Sequence, residues 1–232
     1  MSDGERTPER GFLRDNSLTL AFLAIFLASL VAQALVGHSD FNHGQIAHQD
    51  ETISLGRYLT SSVFWVDVME NWQSEYLQFT LFILGTVWLV QRGSTESKPP
   101  GDEGGESDAE QKVGEHAKAG SPAWARAGGL RTLVYSNSLL LLMTSIWVGT
   151  WVAQLVTGRI EYNANQLDHH EAALTLWQYA GSSDFWSRTL QNWQSEFLAI
   201  VSMVIFSVWL RQRGSSQSKP VGAAHATTGA EG

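Results

Sequence analysis

The sequence predicts an all-α polytopic membrane protein whose four transmembrane helices form two parallel two-helix repeats. Three observations predict it. Apolar residues collect in four dense stretches, with polar and Gly-rich chain between them. The chain matches itself without a gap at an offset of 121 positions, so that 34 of the 84 residues from Asn16 to Pro99 recur between Asn137 and Pro220. Lysine and arginine avoid the segments that join paired stretches.

Residues 1–16 form a polar tail. The first repeat, 17–93, opens with an apolar stretch from Ser17 to Val36. A run of about 20 apolar residues suffices to cross a hydrocarbon core of about 30 Å. Gly37 is expected to close this helix, since glycine suits a left-handed C-terminal cap. A second stretch runs from Trp72 to Val90, and Arg92 with Gly93 is expected to end it. Ser62 is the expected N-cap of a helix that starts before the membrane. Phe64, Trp65, Val68, Trp72 and Tyr76 then share one helical face, so an amphipathic segment should feed into the span and bend at the interface.

Residues 94–130 read as a disordered, acidic, solvated linker, since GSTESKPPGDEGGESDAEQ at its start is almost devoid of apolar side chains and rich in charge. A short interfacial turn is expected around Trp124. The second repeat, 131–214, copies the first: spans at Ser138–Thr157 and Trp193–Leu210, a stop at Gly158, an N-cap at Ser183, and a terminus at Arg213 and Gly214. Residues 215–232 form a disordered tail.

Orientation follows from the basic residues. The N-terminal tail carries three, the chain from Arg92 to Arg131 six and the chain after Leu210 three, whereas the two inter-span loops carry one and two. Basic residues favour the cytoplasmic side. Both termini and the linker are therefore placed in the cytoplasm, and the loops outside. Each repeat enters and leaves on the same side, which makes the repeats parallel about an axis along the membrane normal. A compact four-helix unit or a homo-dimer of such units would satisfy this. A signal peptide over residues 17–34, cleaved after Ala32-Gln33-Ala34, is the rival reading. It is opposed by Asp3, Glu5, Glu9 and Asp15 in the tail, and by the copy of the segment in mid-chain.

Composition excludes several functions. The formal net charge of −8 argues against nucleic acid as a partner. With no cysteine, disulfides, thiolate metal sites and thiol catalysis are ruled out. No GxSxG, GxxxxGK[ST] or HExxH motif occurs. No cofactor is implied.

The pentapeptide NWQSE stands at Asn71–Glu75 and again at Asn192–Glu196. If Asn71 marks the membrane boundary, Glu75 lies one turn inside, about 6 Å deep. Gln33 precedes Gly37 by one turn, and Gln154 precedes Gly158 likewise. This places Glu75, Glu196, Gln33, Gln154, Asn71 and Asn192 at one level near the outer leaflet. A carboxylate at that depth calls for a partner or water. Four readings follow: helix-locking polar contacts, a cation or proton site, a lipid or small-molecule site, and membrane-embedded catalysis. No second catalytic group accompanies the carboxylates, so the reading is non-enzymatic.

The loops are acidic, with six acids against one arginine and five against two when Glu75 and Glu196 are counted. Such a mouth concentrates cations. His48 and His169 are the repeat-equivalent histidines that could ligate zinc. His38, His43 and His48 recur at intervals of five, which fits no single helical face and favours solvated histidines. VDVME at Val66–Glu70 is similar to the acidic pore mouth of mitochondrial calcium uniporters. Its counterpart, SRTLQ at Ser187–Gln191, has no acids, and the loop is far longer, so the likeness is read as coincidence.

Over NWQSEYLQFTLFILGTVWLVQRGSTESK, YSNSLLLLM and NWQSEFLA, the chain resembles a family of bacterial integral membrane proteins defined by a domain of unknown function. The resemblance covers nearly the whole chain. It implies a bacterial inner-membrane location, with the lipid bilayer as partner, and supplies no chemistry.

Overall fold

The computed structural model describes residues 11–229. The protein is all-helical, with no strand among the described residues. Its helices are α1 (Phe12–Asp15), α2 (Ser17–Ala47), α3 (Leu55–Leu59), α4 (Ser62–Trp88), α5 (Ala123–Arg126), α6 (Gly129–Ser136), α7 (Ser138–Asp168), α8 (Leu176–Ala180) and α9 (Ser183–Trp209). The bounds of α2, α3 and α4 recur in α7, α8 and α9 at the sequence offset of 121. Trp124 stands in α5.

The chain divides into two compact units with the boundary between Trp65 and Val66. The first holds α1, α2, α3 and the first turn of α4. The second holds the rest of α4 and everything after it.

The local chemistry of the two copies is the same. Asn42 fixes the turn after α2 by donating to the Ile53 carbonyl (3.0 Å) and accepting from the Ile53 amide (2.9 Å). Asn163 makes the same pair of bonds to Leu174, at 2.9 and 2.8 Å. The turns pass through a left-handed residue at Gln49 (φ 65°) and His170 (φ 58°). Ser54 and Thr175 cap α3 and α8 by accepting from the amides of Arg57 and Gln178. Trp65 and Trp186 donate their indole N–H to the carbonyls of Leu59 and Ala180, at 3.0 and 2.9 Å.

Three expectations about helix ends are corrected. Gly37 and Gly158 do not terminate helices: α2 and α7 run ten residues further, to Ala47 and Asp168. The glycines are notches instead. A Cβ on Gly158 would sit 2.6 Å from the Tyr179 hydroxyl, and one on Gly37 would strike the Tyr58 hydroxyl. The N-caps of α4 and α9 fall one residue earlier than expected, at Ser61 and Ser182. Their hydroxyls accept from the amides of Phe64 (3.4 Å) and Phe185 (3.2 Å), because a residue still in extended backbone aims its oxygen at the third amide of the helix. The second-type helices stop at Trp88 and Trp209, so Gly93 (φ 87°) and Gly214 (φ 79°) serve the turns beyond them. The amphipathic segment from Phe64 and the apolar run after Trp72 form one uninterrupted helix, α4.

Among the described residues two helices, α2 and α7, are by length and composition long and apolar enough to cross a membrane. At 1.5 Å per residue each is about 46 Å long, more than a hydrocarbon core of about 30 Å. On α2 the apolar side chains are exposed on every side, among them Leu18, Phe22, Ile25, Val31 and Val36.

Candidate functional site

Within the second unit, α4 and α9 are joined by a seam of polar side chains. Asp67 and Glu70 of α4 meet Arg188 of α9; lower on the same helices Gln73 meets Trp193, and Ser74 meets Glu196. The contacts advance in the same direction on both helices, so the two run parallel. Positions 67, 70 and 74 follow i, i+3 and i+7, which puts them on one face of α4. Helix α7 lies antiparallel to α9. Its Trp151 packs against Phe185, Trp186 and Trp193, Gln154 donates to the Thr189 hydroxyl (3.5 Å), and Glu161 reaches Arg188.

The upper tier of the seam is an ion cluster around a single guanidinium. Arg188 lies 3.2 Å from the Glu70 carboxylate, 3.8 Å from Asp67, 3.5 Å from Glu161 and 3.7 Å from Asp184. Tyr179, fully buried against Gly158, donates to Asp184 at 2.9 Å. Four carboxylates against one cation leave three excess negative charges when all are ionised. Glu70 and Glu161 are the least exposed of the four acids. Burial pushes the Asp67 and Glu70 carboxyls above the usual carboxylate range, against the opposing pull of Arg188. Burial also raises the Tyr179 phenol, helped by its bond to Asp184.

The lower tier is less charged and more enclosed. Gln73 is fully buried; its side-chain oxygen accepts from the Trp193 indole at 2.9 Å, and its amide nitrogen donates to the Glu70 carbonyl at 3.1 Å. Ser74, also buried, donates to the Glu196 carboxylate at 3.4 Å. Glu75, the repeat equivalent of Glu196, follows Ser74 on α4.

Of the residues singled out from the sequence, the structure brings some together and separates others. Glu196 is half-buried in the seam and Glu75 is exposed beside it. Asn71 and Asn192 each donate to a backbone carbonyl one turn back, those of Asp67 (2.7 Å) and Arg188 (2.9 Å). Gln154 is buried and bonded to Thr189, two turns from Glu196. Gln33 is exposed on α2, in the other unit. His48 and His169 are exposed at the ends of α2 and α7, where each ring binds the carbonyl four residues back. Among the described residues no group of three His, Cys, Asp or Glu side chains is placed to hold a metal ion.

Sequence reasoning missed Arg188, Asp67, Glu70, Glu161, Asp184 and Tyr179 as one group. A signal was present. Positions 67 and 188 are repeat-equivalent and carry opposite charges, the pattern expected where two copies of a helix face each other. The lack of acids in SRTLQ, counted against VDVME, concealed that SRTLQ supplies the arginine that VDVME binds.

No curated protein and no solved structure matches the chain. One family profile does: Domain of unknown function (DUF6766), over residues 9–230. With nearly its whole length matched, the chain belongs to the DUF6766 family.

Proposed function

We propose that this is a four-span protein of the bacterial inner membrane, built from two parallel copies of one helical hairpin. Its tails and linker lie in the cytoplasm and its loops outside. The apolar surface of α2, exposed around the whole helix, supports this, since water tolerates such a surface poorly. So do the basic residues clustered in the tails and linker. On this reading the polar N-terminal halves of α4 and α9 stand at the outer surface, and their apolar C-terminal halves complete the spans.

Its function is to bind or pass a cation or proton at a polar site near the outer leaflet, centred on Glu75 and Glu196. The observation that carries this reading is the glutamate repeated on two parallel helices, with Glu196 bonded to Ser74 of the facing helix, beside a cluster with more acids than bases. Two such groups hold a proton or cation more readily than either alone, because their mutual repulsion is relieved when one is neutralised. The acidic loops raise the local cation concentration above the site.

The test is reconstitution of the wild type and the double variant Glu75→Gln/Glu196→Gln in liposomes. Proton flux and monovalent-cation flux are followed with trapped dyes, and folding by circular dichroism. Loss of flux with folding intact supports the site. Flux equal to wild type ends it.

A second reading has its own observation. The Gln73–Trp193 and Ser74–Glu196 bonds tie α4 to α9 through buried side chains, as a helix-locking role requires. Under that reading the double variant loses helical content or thermal stability, and neither protein conducts.

A further inference from the structure

The C-terminal halves of α4 and α9 part to leave a groove of about 370 Å³. Leu81, Phe82, Gly85 and Leu89 line one side, and Phe197, Ile200 and Val204 the other. A second hollow of about 160 Å³ adjoins it and shares Phe82, Ile200 and Glu96. The walls of both are mainly apolar. Glu96 stands at their common end with Gln91 and Ser97.

The Ser97 hydroxyl donates to the Lys98 carbonyl (2.9 Å), the Gln91 amide nitrogen to the Arg92 carbonyl (3.3 Å), and the Thr95 hydroxyl to Glu96 itself (3.4 Å). These donors are turned to other groups, and the adjoining hollow adds the side chains of Gln78 and Gln217. Lys98 is engaged elsewhere, with Glu106 at 2.8 Å. Among the described residues Glu96 makes no ion pair. An apolar channel that ends at a carboxylate without an ion pair is complementary to an alkyl chain carrying a cationic donor head.

The two copies differ at two residues of the groove. Gly85 opens the groove, and its equivalent in the second copy is Phe206. Glu96 supplies the charge, and its equivalent is Gln217. Both copies line the groove, but only the first brings to it a glycine and a carboxylate at these two positions.

We propose that the groove between α4 and α9 binds an amphiphile with a single alkyl chain and an ammonium head, the chain against Leu81, Phe82, Gly85 and Ile200 and the head on Glu96. The binding rests on the membrane reading only in that the bilayer delivers the chain. It does not involve Glu75 or Glu196.

The duplication also supplies the variants. Gly85→Phe and Glu96→Gln install residues that the other copy already carries at those positions. The experiment is titration of the full-length protein, purified in a non-ionic detergent, with dodecylammonium, dodecanol or dodecyl sulfate. Stoichiometry is read by native mass spectrometry and stability by tryptophan fluorescence on heating. Saturable one-to-one binding of dodecylammonium, with a rise in Tm, is expected. Glu96→Gln should weaken it at least tenfold and Gly85→Phe should abolish it, while both variants keep the wild-type Tm without ligand to within a few degrees. Equal binding of dodecanol, or undiminished binding to a folded Glu96→Gln, overturns the head assignment. Undiminished binding to a folded Gly85→Phe overturns the groove. A variant that fails to fold is replaced by Glu96→Asp or Gly85→Leu, judged by the same criteria.

Discussion

Asp67 and Arg188 occupy equivalent positions in the two copies of the hairpin, and their side chains meet 3.8 Å apart. One position, copied and then changed to the opposite charge, has become a contact between the copies. The contact is part of a larger imbalance, since Arg188 also serves Glu70, Glu161 and Asp184. That imbalance sets the first two predictions.

Stability should fall as pH rises above the ordinary carboxylate range. Asp67 and Glu70 hold their protons more tightly in the folded protein than in the unfolded chain. Between the unfolded pKa values, about 4, and the raised folded ones, the folded state therefore binds more protons, and the free energy of unfolding decreases with pH. The contribution is full below pH 4 and lost as pH passes the folded values. Thermal unfolding between pH 4.5 and 8 checks the sign, and the slope should flatten in Asp67→Asn/Glu70→Gln.

Replacing Arg188 by Gln should destabilise the second unit, and more at pH 8 than at pH 5. It leaves four carboxylates without their cation. A fully buried pair broken in this way costs about 3–5 kcal/mol. Arg188 is partly exposed, so about 1–3 kcal/mol is expected, after discounting for solvent screening. Adding Glu70→Gln should recover part of the loss, which a double-mutant cycle in denaturant measures.

Gly158→Ala should cost about 1–3 kcal/mol by overpacking, because its methyl would press on the Tyr179 hydroxyl and on Val66. Tyr179→Phe removes the oxygen at 2.6 Å and should relieve part of that strain, at the expense of the bond to Asp184. The pair should therefore be non-additive. Purely additive losses in chemical unfolding would show that Gly158 is no notch.

Asn163→Ala should cost about 1–3 kcal/mol, since it leaves both backbone groups of Leu174 without the Asn163 side chain, and Asn42→Ala should cost less, since the Ile53 carbonyl keeps its bond to His38 (2.7 Å). Hydrogen exchange at the amides of Ile53 and Leu174 gives the most direct measure. Fast exchange in both variants, confined to the affected turn, is the expected result.

The elements themselves were legible in the sequence. Four apolar stretches, capping serines and a gapless offset of 121 gave the two long helix pairs, with errors of one residue at the N-caps and ten at Gly37 and Gly158. The glycine error has a physical cause. A glycine in helical sequence is either a stop or a notch, and only the approach of Tyr58 or Tyr179 from another element tells them apart. The recurrence of the NWQSE glutamates was legible because the pentapeptide repeats at the offset of 121. Their surroundings were not, because Gln73–Trp193, Ser74–Glu196 and the four partners of Arg188 join residues 4 to 122 positions apart.

By itself, then, the sequence determined everything that depends on periodicity and neighbours along the chain: helical class, repeat, polar thresholds and the sign of each loop's charge. Tertiary structure alone decided which copy's acids face the other copy's base, that Gln154 bonds Thr189, and that Gly85 leaves an open groove. Those outcomes turn on which helix faces meet. A helix face is fixed by sequence, but its partner is chosen by the packing of the whole seam.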